Sequence, residues 1–252
     1  MSTRWVKLVV GLFLLIPAGL LTQTVFVAYS RVAGGSKIWL TEEFWCCGLG
    51  AALWVCWFFG SIWTLGEPRP LRAYVFAHEL THAVWVWLMG GKVSEFESSR
   101  KGGYIVTNKS NFWIALTPYF YPLYTLVVIV LFSIAGIFYD VTSDKLTVLW
   151  GTGTVSNWMF VLIGATWAFH FSFTCWMIPK GQSDLRSHGT FFSLVVIYIA
   201  NVLMVALFVI VAVQHITFRS FARDLLINTE NFSAWAVNVI ESTFSLVTSG
   251  RG

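Results

Sequence analysis

Charged residues are scarce in this sequence. Asp, Glu, Lys and Arg make up 11% of its 252 residues, whereas 57% are hydrophobic, and the chain contains 22 Phe and 14 Trp. A soluble domain carries about 25% charged residues, so this composition excludes an ordinary soluble protein and is typical of a membrane protein with several spans. We therefore predict an all-α, multi-pass integral membrane protein of a cell or inner membrane, surrounded by the lipid bilayer.

The sequence also lacks basic clusters and patterned cysteines. The net charge is only +4 and no basic run occurs, which argues against a nucleic-acid partner. The four cysteines all fall in apolar segments without metal-type spacing, so we predict small buried thiols. Repeats and low-complexity linkers are absent as well, which indicates one membrane domain.

Long apolar runs, by contrast, are frequent. A bilayer core about 30 Å thick takes about 20 helical residues. Runs of about this length predict six transmembrane helices: Leu8–Tyr29, Phe44–Leu65, Leu71–Met89, Phe112–Tyr139, Val155–Ile178 and Thr190–Ile216. Pro118 and Pro122 should kink the fourth. Residues 1–217 then form the membrane domain, with its core at 71–216. The tail 218–252 carries apolar residues every three or four positions, which predicts an amphipathic helix on the membrane surface.

A polar insert follows the third predicted helix. Gly90 and Gly91 predict the end of that helix, because glycine tolerates the left-handed cap conformation. Two short strand-like stretches flank Arg100–Gly103, a pattern that predicts a β-hairpin with a glycine turn within residues 92–111. The edge of this hairpin is a candidate surface for pairing with extended substrate backbone. A plain surface loop explains the insert equally well.

The third predicted helix contains the motif His-Glu-Leu-Thr-His at His78–His82. Residues four apart share one face of a helix, so His78 and His82 can present two imidazole nitrogens to one Zn²⁺ ion. Glu79 is then placed to take a proton from a zinc-bound water. Ionisable residues inside a membrane are energetically costly and by default mark a functional site. We therefore predict zinc-dependent hydrolysis within a membrane.

A catalytic zinc site needs a third protein ligand and an open position for water. Glu95 and Glu97 follow too soon after His82 to lie on a second ligand helix. Two candidates remain further along the chain, His170 and Asp184. If every segment crosses the membrane, His170 lies near the depth of His82. Asp184 lies near the far boundary and reaches the metal only if the chain folds back.

These motifs together resemble those of the site-2 protease family of intramembrane zinc metalloproteases. The resemblance is carried by His78–His82 followed by a polar hairpin, by Ala115–Pro118, and by Met177–Asp184, whose proline stands five residues before the aspartate. It implies that Asp184 is the third zinc ligand. On this resemblance, and on carboxylate chemistry, we rank Asp184 ahead of His170.

The resemblance implies an intramembrane zinc metalloendopeptidase that performs regulated intramembrane proteolysis, with Glu79 as its catalytic proton acceptor and a transmembrane protein as substrate. Two alternatives stay open. Tyr121, Trp176 and Leu185 depart from the family pattern, which also fits a catalytically silent membrane scaffold of the same fold. A haem-binding electron carrier fits less well. Histidines four apart on one helix point at the same spot, whereas haem with two histidine ligands needs one imidazole on each of its faces.

Overall fold

The computed structural model is mainly helical. It describes residues 2–35, 41–148, 151–212 and 216–249. Over these residues the helices are α1 (Ser2–Gly35), α2 (Glu42–Leu65), α3 (Leu71–Leu88), α4 (Phe112–Leu116), α5 (Leu123–Phe138), α6 (Val155–Met177), α7 (Ser183–His188), α8 (Thr190–Ala212) and α9 (Phe218–Ser249). The strands are β1 (Val93–Ser99), β2 (Gly102–Thr107), β3 (Lys145–Val148) and β4 (Gly151–Thr154). Single 3₁₀ turns follow α4 (Thr117–Tyr119) and α6 (Ile178–Lys180).

Four helical segments in the described part of the chain are long and apolar enough to cross a membrane. They are Trp5–Arg31, Glu42–Leu65, Val155–Lys180 and Thr190–Ile210. Many large apolar side chains on these helices are exposed, as expected of surfaces that face lipid rather than water. The prediction of a helical chain suited to a membrane is therefore confirmed. The described residues contain four such helices, and the number of six spans stays a prediction.

The fourth predicted helix is broken. α4 and α5 are separated by the 3₁₀ turn and meet at an angle of 76°, and as a bent pair they are a fifth candidate span. Pro118 and Pro122 flank the break, and proline interrupts a helix because it lacks an amide hydrogen and clashes with the preceding turn. The predicted kink is confirmed, and it redirects the chain.

The polar insert after α3 is a β-hairpin, as predicted. β1 and β2 pair antiparallel over residues 93–107, with Arg100 and Lys101 in the turn. Gly90 follows α3 with a φ of +76°, which is the left-handed conformation expected of a glycine beyond a helix end. A second antiparallel pair, β3 with β4, was not predicted, because strands of four residues are too short to show a clear alternation of apolar and polar residues.

Contacts group the chain into two compact units. One consists of Met1–Ile38 with Leu194–Gly252, and the other of Trp39–Ser193. The predicted division at residue 217 was drawn from membrane placement, which contacts do not test, and it stays a prediction.

In the first unit, α9 packs along α1 in the opposite direction. Nη2 of Arg31 lies 2.9 Å from Oδ1 of the buried Asp224. One turn further along α9, Asn228 donates a 2.9 Å hydrogen bond to Oγ1 of Thr24. The predicted helix in the tail is confirmed, and part of its length is held by a neighbouring helix. Its location on a membrane surface stays a prediction.

In the second unit, α2 and α6 touch through their backbones. A Cβ atom added at Gly164 would lie 1.9 Å from the Cys47 carbonyl oxygen, and one added at Gly50 would lie 1.9 Å from the Val161 carbonyl oxygen. Small residues at a crossing let membrane helices approach closely, so that packing rather than water drives their association.

Gly164→Ala is expected to destabilise the protein by about 1–3 kcal/mol, because the added methyl group overpacks the contact between α2 and α6. The melting temperature of detergent-purified protein, followed by tryptophan fluorescence, measures this effect. Gly60→Ala is the matched control, since a Cβ atom at Gly60 meets no atom of the described residues within 4 Å. Equal melting temperatures for the two variants would contradict the close helix contact.

The prediction for the cysteines needs a correction. All four are free thiols, but Cys46 and Cys47 are only half-buried and Cys56 and Cys175 are exposed. An apolar helix in lipid can present its apolar residues outward, so an apolar segment does not imply a position inside the protein.

Candidate metal centre

The middle of α3 carries three of the residues at this site. Ten of its 18 residues are buried, including His78, Glu79 and His82. Within the second unit it contacts β1, β2, α4, α5 and the 3₁₀ turn Thr117–Tyr119. Because protein surrounds much of this helix, His78, Glu79 and His82 face other side chains and backbone groups, whereas Arg72 at the start of the helix is exposed. That arrangement is the one in which ionisable groups are tolerated at membrane depth.

His78, His82 and Asp184 converge on one point. Nε2 of His78 lies 3.4 Å from Oδ2 of Asp184, and Nε2 of His82 lies 3.5 Å from the same oxygen. One ligand atom from each residue can be chosen so that all three lie within 4.8 Å of one another, and among the described residues this is the one such group. The side chains of both histidines are 9% exposed and that of Asp184 is 23% exposed. The structure therefore brings together the three residues that the sequence analysis ranked first as ligands.

Asp184 reaches the histidines because the chain folds back after α6. The 3₁₀ turn at Ile178–Lys180 is followed by Gly181 with a φ of +77°, and α7 then packs against α4. The Arg186 guanidinium donates to the Gly181 carbonyl, and Leu185 is 1% exposed and anchors α7. The leucine that departs from the family pattern is thus a packing residue of the turn that presents Asp184.

Two further contacts orient the ligand side chains. Nδ1 of His82 lies 2.7 Å from the carbonyl oxygen of Ile114, so that ring donates to the backbone and leaves Nε2 directed at the site. The Tyr119 hydroxyl donates a 3.1 Å hydrogen bond to Oδ2 of Asp184, and its ring packs edge-on against His78 at 5.2 Å. Partners of this kind fix the orientation of metal ligands.

Asp184 is held in its ionised form. Burial opposes ionisation of its carboxyl, but the neighbouring imidazoles of His78 and His82 favour the carboxylate more strongly and hold its pKa below the ordinary value. Metal binding requires deprotonated ligands, so Asp184 is in the form that a metal needs across the neutral pH range.

The donor set fits a zinc ion. In a tetrahedral site with bonds of about 2.0–2.2 Å, neighbouring donor atoms lie about 3.4 Å apart, and the two nitrogen–oxygen distances here are 3.4 and 3.5 Å. Two imidazoles and one carboxylate with an open fourth position is a donor set of catalytic zinc sites. The same set also occurs in iron(II) oxygenases, so the donors fix the class of metal site rather than the metal.

Glu79 lies beside the ligand group and under the hairpin. Its side chain is 8% exposed. A Cβ atom added at Gly103 of β2 would lie 2.6 Å from Cγ of Glu79 and 2.7 Å from the Glu97 carbonyl oxygen. Only a residue without a side chain lets β2 approach Glu79 this closely, so Gly103 helps to define the position of the Glu79 carboxylate.

His170, the alternative third ligand, is not part of the ligand group. It is buried on α6, with 8% of its surface exposed, and its ring lies close to the backbone of Tyr119. Its Nε2 atom has no hydrogen-bond partner in the described ranges of the chain. Depth alone favoured His170 because the sequence does not reveal that the chain reverses before Asp184.

The sequence analysis missed Tyr119, the Ile114 carbonyl and Gly103. For Tyr119, the signal was its place directly after Ala115–Pro118, a segment already compared with the family. Gly103 was read only as a turn residue. A backbone carbonyl such as that of Ile114 has no sequence signature.

The chain matches no protein-family model, no curated protein and no solved structure. The resemblance to the site-2 protease family therefore rests on the quoted residues and stays a prediction.

Proposed function

We propose that this protein is an intramembrane zinc metalloendopeptidase of the site-2 protease type. It would hydrolyse peptide bonds in or near the transmembrane segments of membrane-protein substrates. One observation carries the proposal: His78 and His82 meet Asp184 at 3.4 and 3.5 Å in a mostly buried site, with Glu79 next to the first histidine on α3. A chain suited to a membrane supports the location of the reaction.

Each residue has a defined task in this proposal. His78, His82 and Asp184 would hold Zn²⁺ through Nε2, Nε2 and Oδ2. When bound, zinc supplies a Lewis acid that lowers the pKa of a coordinated water to about 7 and polarises a carbonyl group. Glu79 accepts the proton of the attacking water and returns it to the leaving amine. Tyr119 keeps the carboxylate of Asp184 in place.

The substrate must expose an extended peptide bond, because the carbonyl of an intact helix is already hydrogen-bonded. The hairpin β1–β2 supports a way of holding such a segment, since Gly103 brings β2 against Glu79. An edge strand offers unpaired backbone groups to an extended peptide. Pairing of substrate with this hairpin is part of the proposal.

We propose six membrane segments for this enzyme. Four are the apolar helices, and the bent pair α4–α5 is the fifth. The sixth is α3, which is less apolar because it carries Arg72, His78, Glu79 and His82 and is largely covered by protein. Such burial is the condition under which a polar helix fits inside a bilayer.

Metal analysis of the full-length protein purified in detergent tests the proposal first. Wild type is expected to contain close to one zinc ion per chain, and His78→Ala and Asp184→Ala are expected to contain almost none. His188→Ala is the matched control, because this histidine lies on α7 outside the ligand group and should leave the zinc content unchanged. Elemental analysis also reports iron.

Cleavage of a tagged single-span membrane protein by the same samples tests the reaction. Activity is expected in wild type and His188→Ala, and it should disappear on treatment with a zinc chelator and return with added zinc. Folded wild type without zinc would refute the enzyme and leave the membrane scaffold. Stoichiometric iron in place of zinc would keep the metal site and refute zinc hydrolysis.

A further inference from the structure

The two histidines of the proposed metal site differ at their second ring nitrogen. Nδ1 of His82 is held by the Ile114 carbonyl at 2.7 Å. Nδ1 of His78 is buried and has no hydrogen-bond partner within the part of the chain that the structure describes. A metal-binding imidazole nearly always donates from its second nitrogen, so His78 requires a partner that the surrounding side chains and backbone do not supply.

His170 offers a complementary nitrogen. Its Nε2 is buried and has no hydrogen-bond partner among the described residues, and its ring lies close to the backbone of Tyr119. An imidazole nitrogen that donates to a carbonyl carries the ring hydrogen, and the other nitrogen of the neutral ring is then an acceptor. Conversely, His78 with Nε2 directed at a metal carries its hydrogen on Nδ1. The Tyr74 hydroxyl is also buried without a hydrogen-bond partner among the described residues, so the unmet groups here are two imidazole nitrogens and one hydroxyl.

Both side chains line one small cavity. The cavity has a volume of about 10 Å³, and Tyr74 and Thr81 also contribute to its wall. This is about the room that one water molecule needs, and a water stays in such a place when it has two to four polar partners. A water accepts from Nδ1 of His78 with its oxygen and donates one hydrogen to Nε2 of His170.

We propose that this cavity binds one internal water molecule that links Nδ1 of His78 to Nε2 of His170. His170 is thereby a positioning residue for the metal ligand His78: it holds the ring in the tautomer that leaves Nε2 free for zinc. This inference rests on the proposed function, because it gives His170 a purpose only if His78 binds a metal. It assigns His170 a task different from that of a third ligand.

The test measures zinc affinity in the full-length, detergent-purified protein, by competition with a chromophoric chelator and with zinc alone as the probe. His170→Leu and His170→Met remove the acceptor while keeping bulk, and each is expected to weaken zinc binding by about 10–100-fold, as loss of such a partner typically does. His170→Gln keeps a hydrogen-bonding group and is expected to bind close to wild type. Phe171→Leu, at the exposed neighbouring position, is the control for changes on α6.

The outcomes separate this inference from the proposed function. Wild-type affinity in His170→Leu and His170→Met would overturn the water link and leave the zinc site intact. Complete loss of zinc in every variant at position 170, glutamine included, would also overturn it, by making His170 a ligand. Wild type that binds no zinc would overturn both proposals. The melting temperature of each metal-free variant is measured alongside. If His170→Leu does not fold, the zinc affinities of His170→Met and His170→Gln decide between the outcomes.

Discussion

Replacing Glu79 with glutamine is expected to lower peptide hydrolysis by about 10²–10⁴-fold, the usual contribution of a general base, without loss of bound zinc. Glutamine has nearly the same shape as glutamate, but its amide cannot accept a proton from water. Glu79 is not one of the grouped donors His78, His82 and Asp184, so the metal should remain. The measurement is the cleavage rate of a tagged single-span substrate, with the metal content determined on the same sample.

Glu95→Gln is the control for this experiment. Glu95 is an exposed glutamate on β1, and the same change of charge there should leave both cleavage and zinc unaltered. A wild-type cleavage rate in Glu79→Gln would show that another group accepts the proton. Loss of zinc together with activity would instead make Glu79 a part of the ligand group.

Replacing Gly103 with alanine is expected to lower cleavage by about 100-fold while zinc stays bound. The added Cβ atom would lie 2.6 Å from Cγ of Glu79 and 2.9 Å from Cγ1 of Val75, so either β2 or the Glu79 side chain must move. A displacement of about 1 Å at a catalytic group costs on the order of 10²-fold in rate. The ligand group itself is untouched, because the atoms that the new methyl group meets belong to other residues.

Cleavage rate, zinc content and melting temperature of Gly103→Ala are compared with those of Ser98→Ala. Ser98 pairs with Gly103 across the hairpin, so its substitution changes the same region without adding an atom near Glu79. Cleavage lost only in Gly103→Ala, at similar melting temperatures, would identify a positioning effect on Glu79. Equal activity of the two variants would show that the hairpin does not control the position of Glu79.

Several elements of the fold could be predicted because their signals are local. The end of α3 followed from Gly90, whose φ of +76° glycine adopts without strain. The hairpin followed from two short strand patterns around a glycine-containing turn, and the break between α4 and α5 followed from Pro118 and Pro122. Each of these depends on residues within a few positions of one another.

The number of membrane spans was harder to predict, because an apolar helix of a given length can face either lipid or other parts of the protein. α3 was counted as a span from the length of its apolar run, yet ten of its 18 residues are buried and it is not among the four candidate spans of the described residues. The cysteines show the same difficulty: an apolar neighbourhood predicted burial, and two of the four thiols are exposed. Hydropathy measures transfer out of water and does not distinguish lipid from protein interior.

Some features of the candidate site could likewise be predicted from local sequence, and others depend on the tertiary structure. The pairing of His78 with His82, and the place of Glu79 beside them, followed from the helical repeat alone, since residues four apart on a helix must share a face. The membrane character of the chain followed from composition. The convergence of Asp184 on that pair did not, and neither did the contacts of Tyr119, the Ile114 carbonyl and Gly103. They depend on the reversal of the chain after α6 and on the packing of α7 and the hairpin around α3. Those contacts join segments far apart in the sequence, and their free energy is a sum of many weak terms that no local pattern records.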